Sequence, residues 1–301
     1  GSDGTYPNGI SGNYIVGAYN DGTGFYGFFY DGTNYTTLND PLSNLANGGT
    51  RAEGISGNYI TGYYWDGSGG SHGFLYNMTT SNYTTLDDPS AITSGGTQAY
   101  GISGNYIVGY YGDAAGSHGF LYAMSTSHYT TLNDPLSDES QGGTIASGVS
   151  GNLIAGNYYD TNGESHGFLY NMATLSYANL DDPLGSDGTF PFGIDDGKIV
   201  GSYTDSNGNS HSFEAASTPF SIPPPAITGI SLSGTNLVLN GSSGLSNRTY
   251  YTLMSTNVSL PLNQWSPAAT NTLGADGNFT ITATNAVNRN VPQRFYILQL
   301  Q

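Results

Sequence analysis

Residues 101–111 read GISGNYIVGYY. The same phrase stands at 9–19 as GISGNYIVGAY, at 54–64 as GISGNYITGYY, at 148–158 as GVSGNLIAGNY and at 193–203 as GIDDGKIVGSY. Its second residues, Ile10, Ile55, Ile102, Val149 and Ile194, are spaced 45, 47, 47 and 45 apart. A fixed period of this length marks a repeat architecture. Outward from each phrase a second block follows: FYGFFY at 25–30, SHGFLY at 71–76, 117–122 and 165–170, and SHSFEA at 210–215. A third comes next: NYTTLNDP at 34–41, NYTTLDDP at 82–89, HYTTLNDP at 128–135, SYANLDDP at 176–183 and the degenerate TPFSIPPP at 218–225.

Each block reads as a strand. In the second repeat Tyr59, Thr61 and Tyr63 alternate with Ile60, Gly62 and Tyr64, so both faces carry apolar or aromatic surface and both need cover. The clusters NDGTG, DGSGG, GDAAG, DTNG and DSNG supply the positive φ angles of hairpin turns. Asp-Pro after the third block ends that strand. Counting the short GTxAxGIS lead, a unit holds three or four antiparallel strands, and no stretch has helical periodicity. Sheets apolar on both faces are satisfied when units pack on two neighbours in a ring. The reading is therefore all-β: a five-bladed β-propeller over residues 1–222, with an open β-solenoid as the rival. The mid-strand glycines Gly17, Gly62, Gly109, Gly156 and Gly201 are expected to admit an adjacent sheet or to mark a bulge. A Pro-rich linker at 223–228 then leads to alternating, strand-like segments over 229–301, expected to form a small immunoglobulin-like β-sandwich.

The charge is lopsided. Residues 1–225 hold 21 acidic side chains against Arg51 and Lys198, whereas the rest holds Asp276 against Arg248, Arg289 and Arg294. A chain of net charge −17 repels phosphate backbones and anionic lipid, so nucleic acid is excluded as a partner. No apolar run is long enough for a membrane-spanning helix, so membrane insertion is not expected. With no cysteine there is neither thiol chemistry nor a disulfide framework. A polar surface of Asn, Ser, Thr, Gly and Tyr with a single Lys suits an extracellular or cell-surface protein.

The blocks GISGNYIVGYY, SHGFLY and YTTLNDP resemble the HAF-type extracellular repeats of bacteria, named for a His-Ala-Phe tripeptide. The tripeptide is His-Gly-Phe at His72, His118 and His166, His-Ser-Phe at His211, and Tyr26-Gly27-Phe28 in the first repeat. The resemblance covers about three quarters of the chain and implies a secreted β-repeat protein; it brings no catalytic residues. The run YYTLMSTNVSLPLNQW with RFYILQL is similar to C-terminal modules of secreted bacterial proteins.

Three sets of side chains repeat with the units. His72, His118, His166 and His211 occupy one position each, either as a ring of ligands or as packing groups that bond a turn. Asp66, Asp113, Asp160 and Asp205 stand at turn entry, as caps of their own turns or as ligands of a structural calcium ion, the one cofactor considered. Tyr63, Tyr64, Trp65, Tyr110, Tyr111, Tyr158 and Tyr159 lie where a strand meets a turn, as inter-sheet packing or as platforms for a glycan. A propeller glycosidase is the remotest reading: its acids differ in environment on one funnel, whereas these repeat in every unit. No Ser-His-Asp order, phosphate loop or zinc motif is present. The fifth unit has PFSIPPP where the others have a YTTL-type strand, which leaves an edge that another chain can complete. The expectation is a non-catalytic structural subunit of an extracellular filament, matrix or coat. Its partners would be copies of itself, joined head to tail or by strand addition, with a glycan-binding lectin as the alternative.

Overall fold

The computed structural model describes residues 4–93, 95–217, 226–242, 249–260, 264–272, 279–284, 286–287 and 293–300. Two compact units emerge, Gly1–Phe220 and Ser221–Gln301. The degenerate block at 218–225, and with it half of the expected linker, lies outside the described residues.

In the first unit each repeat forms its own antiparallel sheet in chain order. The first sheet is β1 (Gly4–Ser11), β2 (Tyr14–Asn20), β3 (Phe25–Tyr30) and β4 (Tyr35–Leu38); the second is β5 (Thr50–Ser56), β6 (Tyr59–Trp65), β7 (Ser71–Asn77) and β8 (Asn82–Leu86). The third is β9 (Thr97–Ser103), β10 (Tyr106–Gly112), β11 (Ser117–Ala123) and β12 (His128–Leu132). The fourth is β13 (Thr144–Ser150), β14 (Leu153–Tyr159), β15 (Ser165–Asn171) and β16 (Ser176–Asn179); the fifth is β17 (Thr189–Asp195), β18 (Lys198–Thr204) and β19 (Ser210–Ala216). The recurring phrase is thus the end of a first strand, a tight turn and a second strand.

Every first strand carries a bulge at the same place. Ala52 pairs with Gly62 and Gly54 with Thr61, so Glu53 is left without a partner across the ladder. The same slip leaves Asn8, Tyr100, Ser147 and Phe192 unpaired in their ladders. The mid-strand glycines answer to this feature within their own sheet rather than to a neighbouring sheet. A Cβ at Gly62 would run into the Arg51 carbonyl oxygen and stand 2.9 Å from the Phe74 ring.

Successive sheets share their cores. Val16 and Leu38 of the first sheet pack with Ala52, Ile55, Ile60 and Phe74 of the second. Leu86 joins Ala99, Ile102 and Phe120 of the third, and Val108 and Leu132 join Ala146, Val149 and Phe168 of the fourth. Ala155 and Leu169 meet Ile199 of the fifth. A buried hydrogen bond reinforces each joint: the backbone N–H of Asp40, Asp88, Asp134 and Asp182 donates to the hydroxyl of Thr50, Thr97, Thr144 and Thr189, at 3.0 Å each. First strands come so close that glycine is needed where they meet. A Cβ at Gly54 would lie 2.6 Å from the Tyr100 carbonyl oxygen, and one at Gly148 3.1 Å from Gly193 Cα.

A complete ring would place the fifth sheet on the first in the same way, and among the described residues that packing is missing. A Cβ at Gly193 would meet only Val200 of its own sheet, at 3.7 Å. Val200 is 51% exposed, whereas Val16, Thr61, Val108 and Ala155 at the same position are 0%. On the facing side Ile10 is 72% exposed, against 6–8% for Ile55, Ile102 and Val149. Thr5 and Pro7 are exposed as well. The series of sheets therefore begins and ends on an uncovered apolar face.

The second unit holds β20 (Ala226–Ser233), β21 (Asn236–Ser242), β22 (Thr249–Ser255), β23 (Ser266–Thr272), β24 (Phe279–Ala283) and β25 (Phe295–Leu300). They form two three-stranded sheets, β20-β21-β24 and β23-β22-β25. Leu237, Leu239, Phe279 and Ile281 of one sheet pack with Ala268, Ala269, Tyr296 and Leu298 of the other, so this unit has its own core.

Candidate functional site

The repeated Tyr, His and Asp form one cluster per repeat. Tyr64 stands opposite His72 across the β6–β7 ladder, and the two rings stack at 5.2 Å. Tyr111–His118, Tyr158–His166 and Tyr203–His211 repeat the stack, and Tyr19–Tyr26 replaces it in the first sheet. Each imidazole then faces the turn aspartate. His72 Nε2 lies 3.5 Å from Asp66, His118 Nε2 3.0 Å from Asp113, His166 Nε2 3.7 Å from Asp160 and His211 Nε2 3.0 Å from Asp205. The other ring nitrogen meets Asp87 at 2.9 Å in the second sheet and Asp181 at 2.8 Å in the fourth; Asn133 takes the place in the third. Burial draws the His166 pKa down, but the Asp181 hydrogen bond and the charges of Asp181 and Asp160 outweigh it, and the net shift is upward.

The aspartates cap their own turns. Asp66 Oδ1 accepts from the N–H groups of Ser68 and Gly70, Asp113 from Ala115 and Gly116, Asp160 from Asn162 and Glu164, and Asp205 from Asn207 and Asn209. These bonds hold the carboxyls below their ordinary range; the Ser68 hydroxyl leads in lowering Asp66, to about 2. In Asp66, Asp160 and Asp205 one oxygen thus serves the turn and the other faces an imidazole, whereas Asp113 Oδ1 does both. Among the described residues the donor atoms of Asp160, Glu164 and His166 do gather within 4.8 Å. A nitrogen among two carboxylates suits a transition metal rather than calcium.

The aromatic platforms are largely inside. Tyr63, Tyr64, Tyr111 and Tyr158 are buried and offer no free ring face to a sugar. Trp65 is half-buried, edge-on to Tyr63, and a Cβ at Gly48 would lie 2.5 Å from its ring. Tyr110 and Tyr159 are also half-buried, Tyr110 beside Tyr100 and Tyr159 against Gly142. The rings expected as once-per-repeat glycan platforms are thus found packed between sheets and turns, with Trp65, Tyr110 and Tyr159 partly exposed.

The residues that do converge on open space are the bulge residues, which the sequence reading passed over. Asn8, Glu53, Tyr100, Ser147 and Phe192 all line a cavity of about 520 Å³ together with Pro7 and Asn157. The same five line a second chamber of about 440 Å³ that continues along Gly9-Ile10 and its counterparts in the other sheets. They form a girdle between two chambers around the common axis of the five sheets. A bulge re-aims its unpaired side chain, which is why one residue per sheet projects inward. Burial pushes the Glu53 carboxyl up to about 7, against a smaller downward pull from Arg51. Arg51 itself lies over the Phe25 ring, 3.7 Å from its centroid. A partial sequence signal existed: the residue before each bulge glycine differs in every repeat, although so does the residue two positions earlier (Tyr6, Arg51, Gln98, Ile145 and Phe190).

Stacked meander sheets around an axial cavity make the first unit a propeller-like all-β repeat structure. No family model and no curated protein matches the chain. Among solved structures, a protein described as TolB from Agrobacterium tumefaciens is 13% identical, with 99% of this chain and 90% of that chain covered and a TM-score of 0.49. The Aleuria aurantia lectin in complex with Fucα1-6GlcNAc is 14% identical over 71% of this chain and 74% of that chain, TM-score 0.43. The β-propeller domain of the Trilobed protease from Pyrococcus furiosus is 6% identical over 97% and 96%, TM-score 0.39. Among the described residues no helix is long and apolar enough to cross a membrane.

Proposed function

We propose that this chain is a non-catalytic, secreted structural subunit, a five-bladed propeller with an open seam and an appended immunoglobulin-like module, that assembles with copies of itself. The observation that carries this reading is the pair of uncovered end faces. Three times within the chain, the Val16-type residue of one sheet packs with the Ile55-type residue of the next: Val16 with Ile55, Val108 with Val149 and Ala155 with Ile194. The end sheets hold the two halves of a further such joint, Val200 on one and Thr5, Pro7 and Ile10 on the other. The fifth sheet of one copy on the first sheet of another would repeat a packing this sequence already encodes. Burying a side chain such as Ile10 or Val200 is worth roughly 1.5–3 kcal/mol. Because the two faces differ, the contact is head to tail and propagates. The repeated His and Asp support a structural role, since near-identical clusters sit in sheet after sheet with their groups engaged in turns.

The test uses two variants, Ile10→Asp and Val200→Asp, each of which disables one face. Wild-type protein is expected to form chains in sedimentation and electron microscopy, and each variant alone is expected to be monomeric. Mixed in equal amounts, they are expected to stop at a dimer, because one good face of each kind remains. Monomeric wild-type protein, or chains that persist in both variants, would sink the reading.

A further inference from the structure

The girdle has a chemistry of its own. Around it several positions agree: Thr5, Thr50, Thr97, Thr144 and Thr189, then alanine or proline two residues on (Pro7, Ala52, Ala99, Ala146 and Pro191), then glycine, although the residue after each threonine varies. Between the alanine or proline and the glycine, at the bulge, stand Asn8, Glu53, Tyr100, Ser147 and Phe192, no two alike. Packing between sheets limits the threonine, alanine or proline, and glycine positions to few answers, because these are buried or closely approached in the joints. The bulge side chains face the axial space, so packing does not decide them. Simple solvent exposure would be expected to fill such positions with the Asn, Ser, Thr, Gly and Tyr of the rest of the surface, so Glu53 and Phe192 stand out. Glu53 is one of only four glutamates in the chain, beside one of the two basic residues of the first 225.

We propose that the axial chambers bind a neutral carbohydrate, of about one or two sugar rings, gripped at the girdle by Asn8, Glu53, Tyr100, Ser147 and Phe192. Size, charge and shape lead to this class. A cavity of about 520 Å³ falls within the usual range for small-molecule sites. An anion is repelled by the 21 acidic side chains of the surrounding body. The acidic body draws cations in general, but in the girdle Glu53 is the one acidic side chain and the Arg51 charge acts on it, so nothing there selects a cation. What remains is a neutral ligand with both hydroxyl edges and apolar C–H faces. Glu53, Asn8 and Ser147 suit the hydroxyls, and the Phe192 ring, 61% exposed, offers a face to the C–H groups. The chambers share Pro7, Ile10 and Val200 with the end faces, so sugar binding is measured on the unassembled chain as well as on the assembled one.

The experiment is an array of neutral mono- and oligosaccharides probed with the labelled full chain, followed by direct titration of the best-retained sugar. Retention of a restricted set of neutral sugars is expected. Phe192→Ala, at an exposed site that packing does not need, is expected to weaken that binding at least tenfold. Ser147→Trp, which plugs the girdle, is expected to abolish it, with the far-ultraviolet circular dichroism unchanged. Leu136→Ala, exposed and in the lining of neither chamber, is expected to leave it intact. If no neutral sugar is retained, if only charged sugars are, or if Phe192→Ala binds like wild type, the proposal is overturned. Because binding is read on the array and assembly by sedimentation, either reading can fail alone.

Discussion

At the scale of single residues, the sheet joints rest on a polar contact as much as on burial. Thr97 is fully buried and its hydroxyl accepts the Asp88 N–H at 3.0 Å. Thr97→Val keeps the shape and leaves that N–H without an acceptor. The expected loss is about 1–2 kcal/mol in denaturant unfolding, whereas Thr5→Val, exposed at the uncovered face, is expected to cost almost nothing. The capping role of Asp66, Asp113, Asp160 and Asp205 was legible in the sequence, because an aspartate two residues before a turn N–H bonds it locally. The second imidazole partner was not legible. Asp87 and Asp181 come from a different strand, fifteen positions on, and only the register of β7 with β8 and of β15 with β16 brings them to His72 and His166.

At the scale of elements, the first strands decide how closely the sheets approach. Gly148→Ala would put a methyl 3.1 Å from the backbone of Gly193 and Ile194, atoms that cannot swing aside. Its expected cost is about 1–3 kcal/mol, read as a lower denaturation midpoint. Gly193→Ala meets only Val200, at ordinary contact distance, and is expected to leave the melting of the single chain nearly unchanged. Under the proposed assembly the same methyl would meet the first strand of the next copy, so Gly193→Ala is expected to shorten chains in sedimentation. A Gly193→Ala protein that melts early, or that assembles like wild type, would contradict this assignment. The strands themselves were readable from the period-2 pattern and the mid-strand glycines offered a bulge as one of two readings, but which residue the bulge would turn inward was not readable. One slipped residue per strand alters no local pattern, yet it turns Glu53, Tyr100 and their counterparts toward the axis.

At the scale of the whole molecule, the titrating groups set a preference for mild acidity. Glu53 is raised from 4.5 to about 7 in the folded protein, so between these values the folded state holds the extra proton and stability falls as pH rises. Asp40 and Asp134, raised by burial, act in the same direction. The raised His166 adds stability that is complete below its unfolded value near 6.5 and is lost as pH climbs through the folded value. The turn aspartates work the other way: their lowered values add stability above about 3.8 that is lost as pH falls through the folded values. Melting measured across pH at low salt is expected to peak at about pH 5, with Tm lower at pH 8 and much lower below pH 3. A maximum at or above pH 8 would contradict this balance. In Glu53→Gln the decline from pH 5 to pH 8 should shrink, by on the order of 2 kcal/mol.

The amino-acid order alone determined the period, the strands, the turns that join them and the need of each sheet for a neighbour on both faces. Those properties are local: alternation, a glycine of positive φ and an Asp-Pro stop act over a few residues wherever they occur. Tertiary structure alone decided which side chains face the axis and whether the fifth sheet meets the first. Closure depends on the sum of several small rotations between sheets, and Ile10 and Val200 look like their buried counterparts in every respect except what stands opposite them.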